Sequence, residues 1–557
     1  MSQAQPEPIT PPENFPVSWQ RPEDARLLWT NDRMHFPDPV TPMLASVSER
    51  TFDEGRTRAA QAQERPLGRY CGQRINTYFY QHVSPLALPP EEIKARGQRF
   101  LQRADAAVLH YDQYWDGYLT EIKQQLAAWD AVDLATLGLD TLWSHLDETI
   151  VRAARVWEIH FLVAPFVFYA LNQFEEFYCD LFPEHNALDA YRLVQGFGNK
   201  TIETGHALWT LSRQVQAQPE LREALSADST VAVLPALRSS AAGQTFLSSL
   251  RDFLAAYGER FDKMDWTTPS WLEDPTAVLN SLREFSKPDA VDPVEQTARL
   301  AAEREQAVAR AREAMQAYPE PMRVRFESLL KSAQSAPAVM EDHNFYIDQA
   351  AMFRVRRVIL ECGRRLTALG VFEEAEDVFY LTLDELKDAS TAATIDFRST
   401  IAARRAEMER WARVTPPEQL GARASAPPVD NAFSRAVGKF FAAPLPPAIE
   451  PGVLRGHAGS AGVVRGSARV IHTLSESAKL RLGDVLVAAT TTPPWTPLFA
   501  IAGAVVTDTG GVLSHCAVVA REYRIPAVVG TGNATQRIHD GQMVEVDGSA
   551  GIVRLLK

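Results

Sequence analysis

Residues 507–532 read TDTGGVLSHCAVVAREYRIPAVVGTG, and this stretch decides how the C-terminal part of the chain folds. It starts at the end of a valine-rich strand, passes through Gly510 and Gly511, and becomes an apolar run with helical spacing at about Ser514. Glycine allows a backbone bend that residues with a Cβ atom resist. The pattern therefore predicts a strand, a tight turn and a helix, with His515 in the first turn of that helix.

The polar groups around this turn predict a phosphate-binding site. Ser514 is a favourable N-cap, and a helix N-terminus offers free N–H groups to an anion. The predicted phosphate-binding residues are Thr507, Gly510, Gly511 and Ser514. Unperturbed histidine is mostly neutral at pH 7, so His515 is a competent nucleophile that could attack a phosphoryl group and hold it as phosphohistidine. The alternative is that His515 merely caps or packs at the helix start, because the spacing alone carries little information.

Short strands are predicted on both sides of this turn. The valine-rich segments, separated by Gly or Asp, are 463–471, 484–490, 503–508, 527–532, 543–548 and 552–556. Two stretches between them have helical character, 496–502 and 515–523. We expect residues 451–557 to form one small domain that mixes strands and helices.

The whole segment resembles the active-site signature of the swivelling phosphohistidine domain in the phosphoenolpyruvate-utilising family. That family includes phosphoenolpyruvate synthase, pyruvate phosphate dikinase, rifampin phosphotransferase and phenylphosphate synthase. The T-D-x-G-G-x-x-S-H core, the A-x-V-A-R-E helix and the I-P-A-V-V-G-T-G run all occur, at 507–515, 517–522 and 525–532. The resemblance implies that His515 carries the phosphoryl group. Cys516, where alanine is common, is a small departure that we interpret as a buried thiol.

The rest of the chain differs in character. Residues 1–90 are predicted to be irregular, whereas about 91–425 have a helical period. Residues 426–450 concentrate prolines and small residues and predict a linker, with a short docking helix at 433–441. The predicted fold is multidomain: a large, mainly α-helical acceptor-binding domain (1–425), the linker, and the small C-terminal α/β swivelling domain.

The first 425 residues contain neither GxGxxG nor GxxxxGK[ST]. Family members that make their own phosphohistidine carry an ATP-grasp domain or a phosphoenolpyruvate-binding barrel. Here the looser similarity is to the helical region of rifampin phosphotransferase-like and phenylphosphate synthase-like proteins, through 29–43, 68–83, 194–213 and 341–366. The resemblance implies that a separate ATP-grasp subunit, with ATP and Mg²⁺, phosphorylates His515. This chain would bind no cofactor tightly and would hold a small organic acceptor with a hydroxyl group.

The motif EDHNFYIDQ (341–349) offers candidates for the acceptor site. An acceptor hydroxyl must lose its proton, and His343 is the preferred base because its ordinary pKa suits proton transfer near pH 7. On an α-helix Glu341 and Asp348 share one face, and His343 lies on the adjoining one. Arg354 and Arg357 are predicted to meet the incoming phosphate. The alternative is that these charged residues are solvated or paired on a helix surface.

Aromatic residues earlier in the chain are further acceptor-site candidates. Trp157 and His160 could wall a pocket for a planar or apolar acceptor, although the same spacing is typical of plain helical core. No metal-ligand spacing occurs among the histidines and cysteines, and no metal is predicted.

Composition limits the remaining possibilities. The net charge of −13 disfavours nucleic acid and anionic membranes as partners. Four dispersed cysteines without a CxxC pair indicate reduced thiols, and the polar, proline-rich N-terminus lacks a signal-peptide core, so we expect a cytoplasmic protein. The expected function is that of a dikinase-type phosphotransferase component that acts on a hydroxyl of a small organic acceptor. An aromatic acceptor is expected. Alternatives are a rifampin-type antibiotic phosphotransferase component and a noncatalytic phosphocarrier or regulator.

Overall fold

A computed structural model describes residues 7–227, 230–391, 397–423, 430–442, 445 and 450–556. The region before the linker is largely helical, as predicted. Its α-helices of at least seven residues are Pro42–Arg50, Phe52–Ala62, Pro90–Ala107, Tyr111–Asp130, Leu139–Leu181, Lys200–Ala217, Pro219–Leu225, Thr230–Arg238, Ala241–Tyr257, Thr276–Phe285, Pro293–Met315, Glu320–His343, Met352–Ala368, Leu383–Thr391 and Arg398–Trp411. Shorter helical segments are Pro22–Arg26, Leu134–Thr136, Ala187–Tyr191 and Ala375–Tyr380.

The helix Leu139–Leu181 is the central element of this region. It is 43 residues long and packs against Phe52–Ala62, Glu320–His343 and the helix Ala432–Phe441. In the part of the chain that the structure describes, it alone is long and apolar enough to span a membrane, yet 83% of its apolar window is buried inside the protein. It is therefore accounted for as a core helix.

Residues 7–90 contain regular helices and strands, and the prediction of an irregular segment is wrong there. Besides the two helices between residues 42 and 62, this segment supplies most of a five-stranded sheet, in the order Pro8–Ile9, Gln419–Ala422, Leu28–Asn31, Tyr78–Val83 and Tyr70–Ile75. The last two strands form a hairpin through Asn76 and Thr77, which have φ angles of 47° and 70°. A two-residue turn of this kind needs positive φ at both positions, and it usually contains glycine. The Asn-Thr turn gave no such signal.

The C-terminal domain is α/β, as predicted. Its eight strands lie in the order Val453–Arg455, Ile552–Leu555, Met543–Asp547, Val463–Val470, Val485–Ala488, Ala504–Thr507, Ala527–Val529 and His457–Ser460. The four strands from Val463–Val470 to Ala527–Val529 in this order are parallel to one another. The helices are Thr496–Phe499, His515–Tyr523 and Ala534–Arg537. The loop that leads to His515 leaves the carboxyl end of Ala504–Thr507, the end at which parallel sheets usually bind ligands.

The predicted linker contains the helix Ala432–Phe441, which we call the docking helix. Residues 424–429, 443–444 and 446–449 of the linker region lie outside the described residues. The docking helix packs on Leu139–Leu181 and also contacts the C-terminal domain. It therefore lies between the two domains.

The C-terminal domain packs directly on the helical region. One apolar cluster combines Leu208 and Phe285 of the helical region with Phe499 and Tyr523 of the C-terminal domain. Polar contacts cross the same interface, because the Gly196 N–H lies 3.0 Å from each carboxylate oxygen of Glu522. This packing turns His515 toward the helical region.

Candidate active site

One ring nitrogen of His515 contacts a carboxylate, and the other has no hydrogen-bond partner among the described residues. Nδ1 lies 3.1 Å from Oε1 of Glu341, which belongs to the helical region. Oε2 of Glu341 accepts a hydrogen bond of 2.5 Å from the Thr201 hydroxyl. Nε2 of His515 is buried and has no hydrogen-bond partner among the described residues. Of the two ring nitrogens, Nε2 is therefore the one available to a phosphoryl group.

The charge of Glu341 fixes this arrangement. Burial by itself would raise the pKa of the carboxyl, but the positive charge and hydrogen bond of His515 and the hydrogen bond from Thr201 together hold that pKa below its ordinary value. An ionised Glu341 can only accept, so Nδ1 of His515 donates to it, and in the neutral form of the ring Nε2 keeps its lone pair. Glu341 thus orients His515.

The docking helix covers part of the loop before His515. The N–H groups of Gly511 and Leu513 donate to the carbonyls of Phe440 and Lys439, at 2.8 and 3.2 Å. A Cβ atom on Gly511 would lie 2.1 Å from the Lys439 carbonyl oxygen, so only glycine permits this approach. These two N–H groups are therefore occupied while the domains are packed together.

Of the other three predicted phosphate-binding residues, two line the cavity and one does not. Gly510, with φ of 94°, and Ser514, which caps the helix by accepting from the Ala517 N–H, line the cavity that His515 faces. Thr507 is fully buried beneath the loop, and its hydroxyl donates to the Thr509 carbonyl, so it shapes the loop without reaching the cavity. Phosphate binding by Gly510 and Ser514 remains a prediction.

His515 opens into a cavity of about 930 Å³ between the two domains. The C-terminal domain contributes residues 490–493, 509–510 and 514–516, and the docking helix contributes Phe433, Phe440 and Phe441. The helical region contributes aromatic rings together with the polar group His160, His343 and Asp348. The nucleophile and the predicted acceptor residues therefore face one space.

His160, His343 and Asp348 form a buried cluster. Nδ1 of His160 lies 3.0 Å from Oδ1 of Asp348, and the rings of His160 and His343 are 4.7 Å apart, centre to centre. The Asn344 amide donates to Oδ2 of Asp348 at 2.8 Å. His343 and Asp348 meet because residues Asn344–Ala351 form a π-helix, whose wider turn brings residues five apart together. The prediction from α-helical spacing, with Glu341 and Asp348 on one face, is wrong for this reason.

His343 is a weak base. Burial and the neighbouring His160 lower the pKa of His343 to about 4, and its Nδ1–H donates to the Val339 carbonyl at 3.0 Å. His343 is therefore neutral near pH 7. Burial by itself would raise the pKa of Asp348, but its charge interaction and hydrogen bond with His160 hold that pKa below its ordinary value. An ionised Asp348 places the proton of His160 on Nδ1 and leaves Nε2 free to accept another.

The same three side chains could also hold a metal ion. They offer ligand atoms that lie within 4.8 Å of one another, and two imidazoles with a carboxylate suit zinc and related transition metals. The sequence predicts no metal, and that remains a prediction.

Three other predicted acceptor residues lie outside the cavity. Arg354 is buried between Asp130 and Glu259, at 2.6 Å from each carboxylate, and Arg357 lies 3.7 Å from Asp130. Both belong to an ion-pair cluster on the far side of their helix, so the expectation that they meet the phosphate is not supported by their position. Trp157 packs against Phe52 at 4.8 Å between ring centres and is core, which was the alternative for it.

Comparison with known proteins identifies the C-terminal part. Residues 480–551 match the family described as "PEP-utilising enzyme, mobile domain". The C-terminal domain is therefore similar to that mobile domain. Residues 163–341 match the "rifampicin phosphotransferase fourth domain". The C-terminal domain and part of the helical region thus resemble parts of PEP-utilising enzymes and rifampicin phosphotransferases.

Whole-chain relatives extend this similarity. The chain is 37% identical over 559 aligned residues to chondramide synthase cmdD of Chondromyces crocatus, a match that covers 98% of this chain and 14% of that protein. It is 32% identical to a rifampicin phosphotransferase of Streptomyces sviceus, with 67% of this chain and 42% of the relative covered. It is 29% identical to the uncharacterized phosphotransferase YvkC of Bacillus subtilis, with 72% and 47% covered. The chain thus spans less than half of the length of each of these relatives.

Two parts of the site had no signal in the sequence. Arg56 and Arg65, which line the cavity, lie in the segment predicted to be irregular. Thr201 and Glu341 are separated by 140 residues, and Glu341 and His515 by 174, so their contacts depend on the packing of the domains. The docking helix, in contrast, was predicted at 433–441 from its local pattern.

Proposed function

We propose that this chain is the phosphohistidine-bearing and acceptor-binding component of a phosphotransferase. The observation that carries the proposal is that His515, whose Nε2 has no partner among the described residues, and the His160–Asp348 pair line one cavity of about 930 Å³. A carrier that only passed phosphate to another protein would need no such enclosed space. The cavity therefore favours an enzyme over the noncatalytic alternative.

The proposed reaction has two steps in two positions of the mobile domain. In the first, a separate ATP-grasp subunit with bound ATP and Mg²⁺ phosphorylates His515; a dikinase would use the β-phosphate and release AMP and phosphate. In the second, the mobile domain packs on the helical region as seen here. The interface is partly polar, and the linker provides the length for movement between the two positions.

In the packed position, groups in and beside the cavity can account for each step of phosphoryl transfer to the acceptor. The acceptor oxygen attacks phosphorus, the P–Nε2 bond breaks, and its electron pair returns to the imidazole of His515. The hydroxyl proton moves to Nε2 of His160, and the resulting imidazolium is stabilised by Asp348. Glu341 favours a proton on Nδ1 of phosphorylated His515, which makes the imidazole a better leaving group. We propose His160 as the base because His343, with a pKa of about 4, is poorly matched to neutral pH.

The size of the cavity bears on the acceptor. Sites for drug-sized ligands occupy about 300–1,000 Å³, and this cavity lies near the upper end of that range. A phenol would leave most of it unfilled. We therefore favour a larger organic compound with an apolar or aromatic body, which is closer to the antibiotic-type alternative than to a simple phenol.

A donor that needs no partner protein tests the proposal. The full chain is treated with phosphoramidate, which phosphorylates exposed imidazoles, and acid-labile phosphate is followed by intact mass. We expect the wild type to carry one phosphoryl group more than His515→Ala, because exposed histidines such as His539 can be labelled equally in both. Equal labelling of the two would overturn the proposal. Calorimetry with Mg·ATP on the same chain tests the separate subunit, since micromolar binding would show that the chain handles nucleotide itself.

A further inference from the structure

A second charged region lines the cavity away from the histidine cluster. Arg56 belongs to the helix Phe52–Ala62, Arg65 follows that helix, and both line the cavity. Arg65 is 6% exposed; its Nε donates to the Gln63 side chain at 2.7 Å and its Nη2 to the Phe161 carbonyl at 3.2 Å. Within the described residues neither arginine forms an ion pair with a carboxylate. Two positive charges thus border the cavity without a direct ion pair, and Arg56 donates to the Gln81 side chain at 2.5 Å.

The nearby carboxylates are occupied by other groups. Asp32 pairs with His35 at 2.9 Å, and Asp53 accepts from the Gly72 N–H at 2.5 Å. Burial, with a contribution from Arg56, lowers the pKa of Arg65 to about 10, which still leaves it charged. A buried charge without a partner is costly, so such a group usually serves a ligand of opposite charge.

Aromatic rings hold both guanidinium groups in place. Arg65 lies 5.8 Å from the centre of the Phe100 ring and 5.4 Å from that of Phe433 on the docking helix. Arg56 lies 4.1 Å from the centre of the Tyr70 ring. Planar guanidinium groups fixed in this way can bind the two oxygens of a carboxylate or phosphate together.

A row of ring contacts connects this region to the proposed base. The ring centres of His160 and Phe161 are 4.7 Å apart, and the guanidinium carbon of Arg56 lies 5.3 Å from the Phe161 ring centre. A ligand whose hydroxyl is near His160 would therefore lay an apolar body along Phe161. Its far end would reach the arginines.

The geometry points to an anion subsite at Arg56 and Arg65 that binds a carboxylate or phosphate group of the acceptor. The acceptor class is then an apolar or aromatic compound with a hydroxyl at one end and an anionic group at the other. This inference rests on the proposed function, in which the cavity is the acceptor site. The docking helix completes the subsite, since Phe433 packs on Arg65.

Binding of charged and neutral probes tests the subsite on the full chain. The probes are 6-hydroxy-2-naphthoate, its methyl ester and 2-naphthyl phosphate, measured by calorimetry. We expect the acid to bind about 10- to 100-fold more tightly than the ester, the range for a charge-assisted hydrogen-bond pair. Tighter binding of the phosphate than of the acid would identify the anion as a phosphate.

Variants locate the effect. Arg56→Met should reduce the affinity for the acid to that for the ester and leave ester binding unchanged. Arg58→Met is the matched control, because Arg58 lies on the same helix, is exposed and pairs with Glu54 at 2.9 Å. Arg65→Lys keeps the charge and should retain part of the preference.

Three results would overturn the subsite: equal binding of acid and ester, loss of both probes in Arg56→Met, and binding of none of the probes. Phosphorylation of His515 by phosphoramidate is measured on the same samples and does not involve the arginines. Normal phosphorylation with no preference for the acid would reject the subsite and leave the proposed function standing. Absence of phosphorylation would reject the proposed function itself.

Discussion

The two walls of the cavity use the same side chain in different ways. On the mobile domain, His515 has a carboxylate on Nδ1 and an unpartnered Nε2, an arrangement that suits a nucleophile. On the helical region, His343 donates to a backbone carbonyl and has a pKa of about 4, whereas His160 is paired with a buried carboxylate. The partner of one ring nitrogen thus decides whether each imidazole is a nucleophile, a base or a neutral neighbour.

The largest effect is expected from a substitution in the C-terminal domain. His515→Ala removes the nucleophile, so no phosphoenzyme forms and transfer to any acceptor falls to background. His539→Ala is the matched control, because His539 is an exposed histidine of the same domain. Acid-labile label on the protein measures both variants. If His539→Ala lost the label and His515→Ala kept it, the assignment of the nucleophile would be wrong.

Substitutions on the helical wall should affect delivery alone. His160→Asn and Asp348→Asn should slow discharge of phosphorylated His515 to an acceptor by about 10²–10⁴-fold, the usual contribution of a positioned general base. His343→Asn should slow it less, because a neutral imidazole of low pKa contributes little proton transfer. Single-turnover discharge, started from phosphorylated protein, measures these rates. A larger effect at His343 than at His160 would return the role of base to His343.

Glu341 belongs to the helical region and contacts His515 of the C-terminal domain. Glu341→Gln keeps the shape but removes the charge, and we expect discharge to slow by about 10- to 100-fold, corresponding to one charge-assisted hydrogen bond. The pH dependence of the discharge rate shows whether Glu341 acts on the phosphorylated imidazole or only supports the fold. In the wild type Glu341 helps to keep Nδ1 of the phosphorylated ring protonated, so the rate of the variant should fall at a lower pH. An unchanged profile would mean that Glu341 is only structural.

The low pKa of His343 should appear in stability. The unfolded chain binds a proton at His343 as the pH falls below about 6.5, whereas the folded chain binds it only near pH 4, so stability is lost as the pH falls between these values. The loss reaches about 2–3 kcal/mol at pH 4. Glu341, with its lowered pKa, acts in the same direction. Urea unfolding at pH 7 and pH 4.5 should show a smaller difference for His343→Gln than for the wild type; equal differences would contradict the assignment.

The smallest expected effect concerns metal. If the cluster of His160, His343 and Asp348 acts through acid–base chemistry, dialysis of phosphorylated protein against EDTA should leave the discharge rate unchanged. A fall in that rate, restored by Zn²⁺ or Mn²⁺ in the wild type and not in Asp348→Asn, would make the cluster a metal site. Starting from phosphorylated protein keeps the Mg²⁺ requirement of the charging step out of the measurement.

The sequence was sufficient where structure follows from local pattern. All six predicted strands of the C-terminal domain, the helix His515–Tyr523 and the docking helix occur, since each depends on alternation, turn residues or a cap within a few positions. The hairpin at Asn76 and the π-helix Asn344–Ala351 were missed because Asn-Thr is an uncommon turn and a π-helix has no distinct pattern. The pairing of Glu341 with His515 depends on how the two domains pack, and no local pattern contains that information.

The central claim is that His515 is phosphorylated on Nε2 while Glu341 holds Nδ1. Phosphorus NMR of the phosphoramidate-treated full chain tests it most directly, because phosphohistidines substituted on the two ring nitrogens give separate signals. We predict one acid-labile signal of the Nε2 type that is present in the wild type and absent from His515→Ala. If His515→Ala lost no signal, or lost one of the Nδ1 type instead, the account would be contradicted.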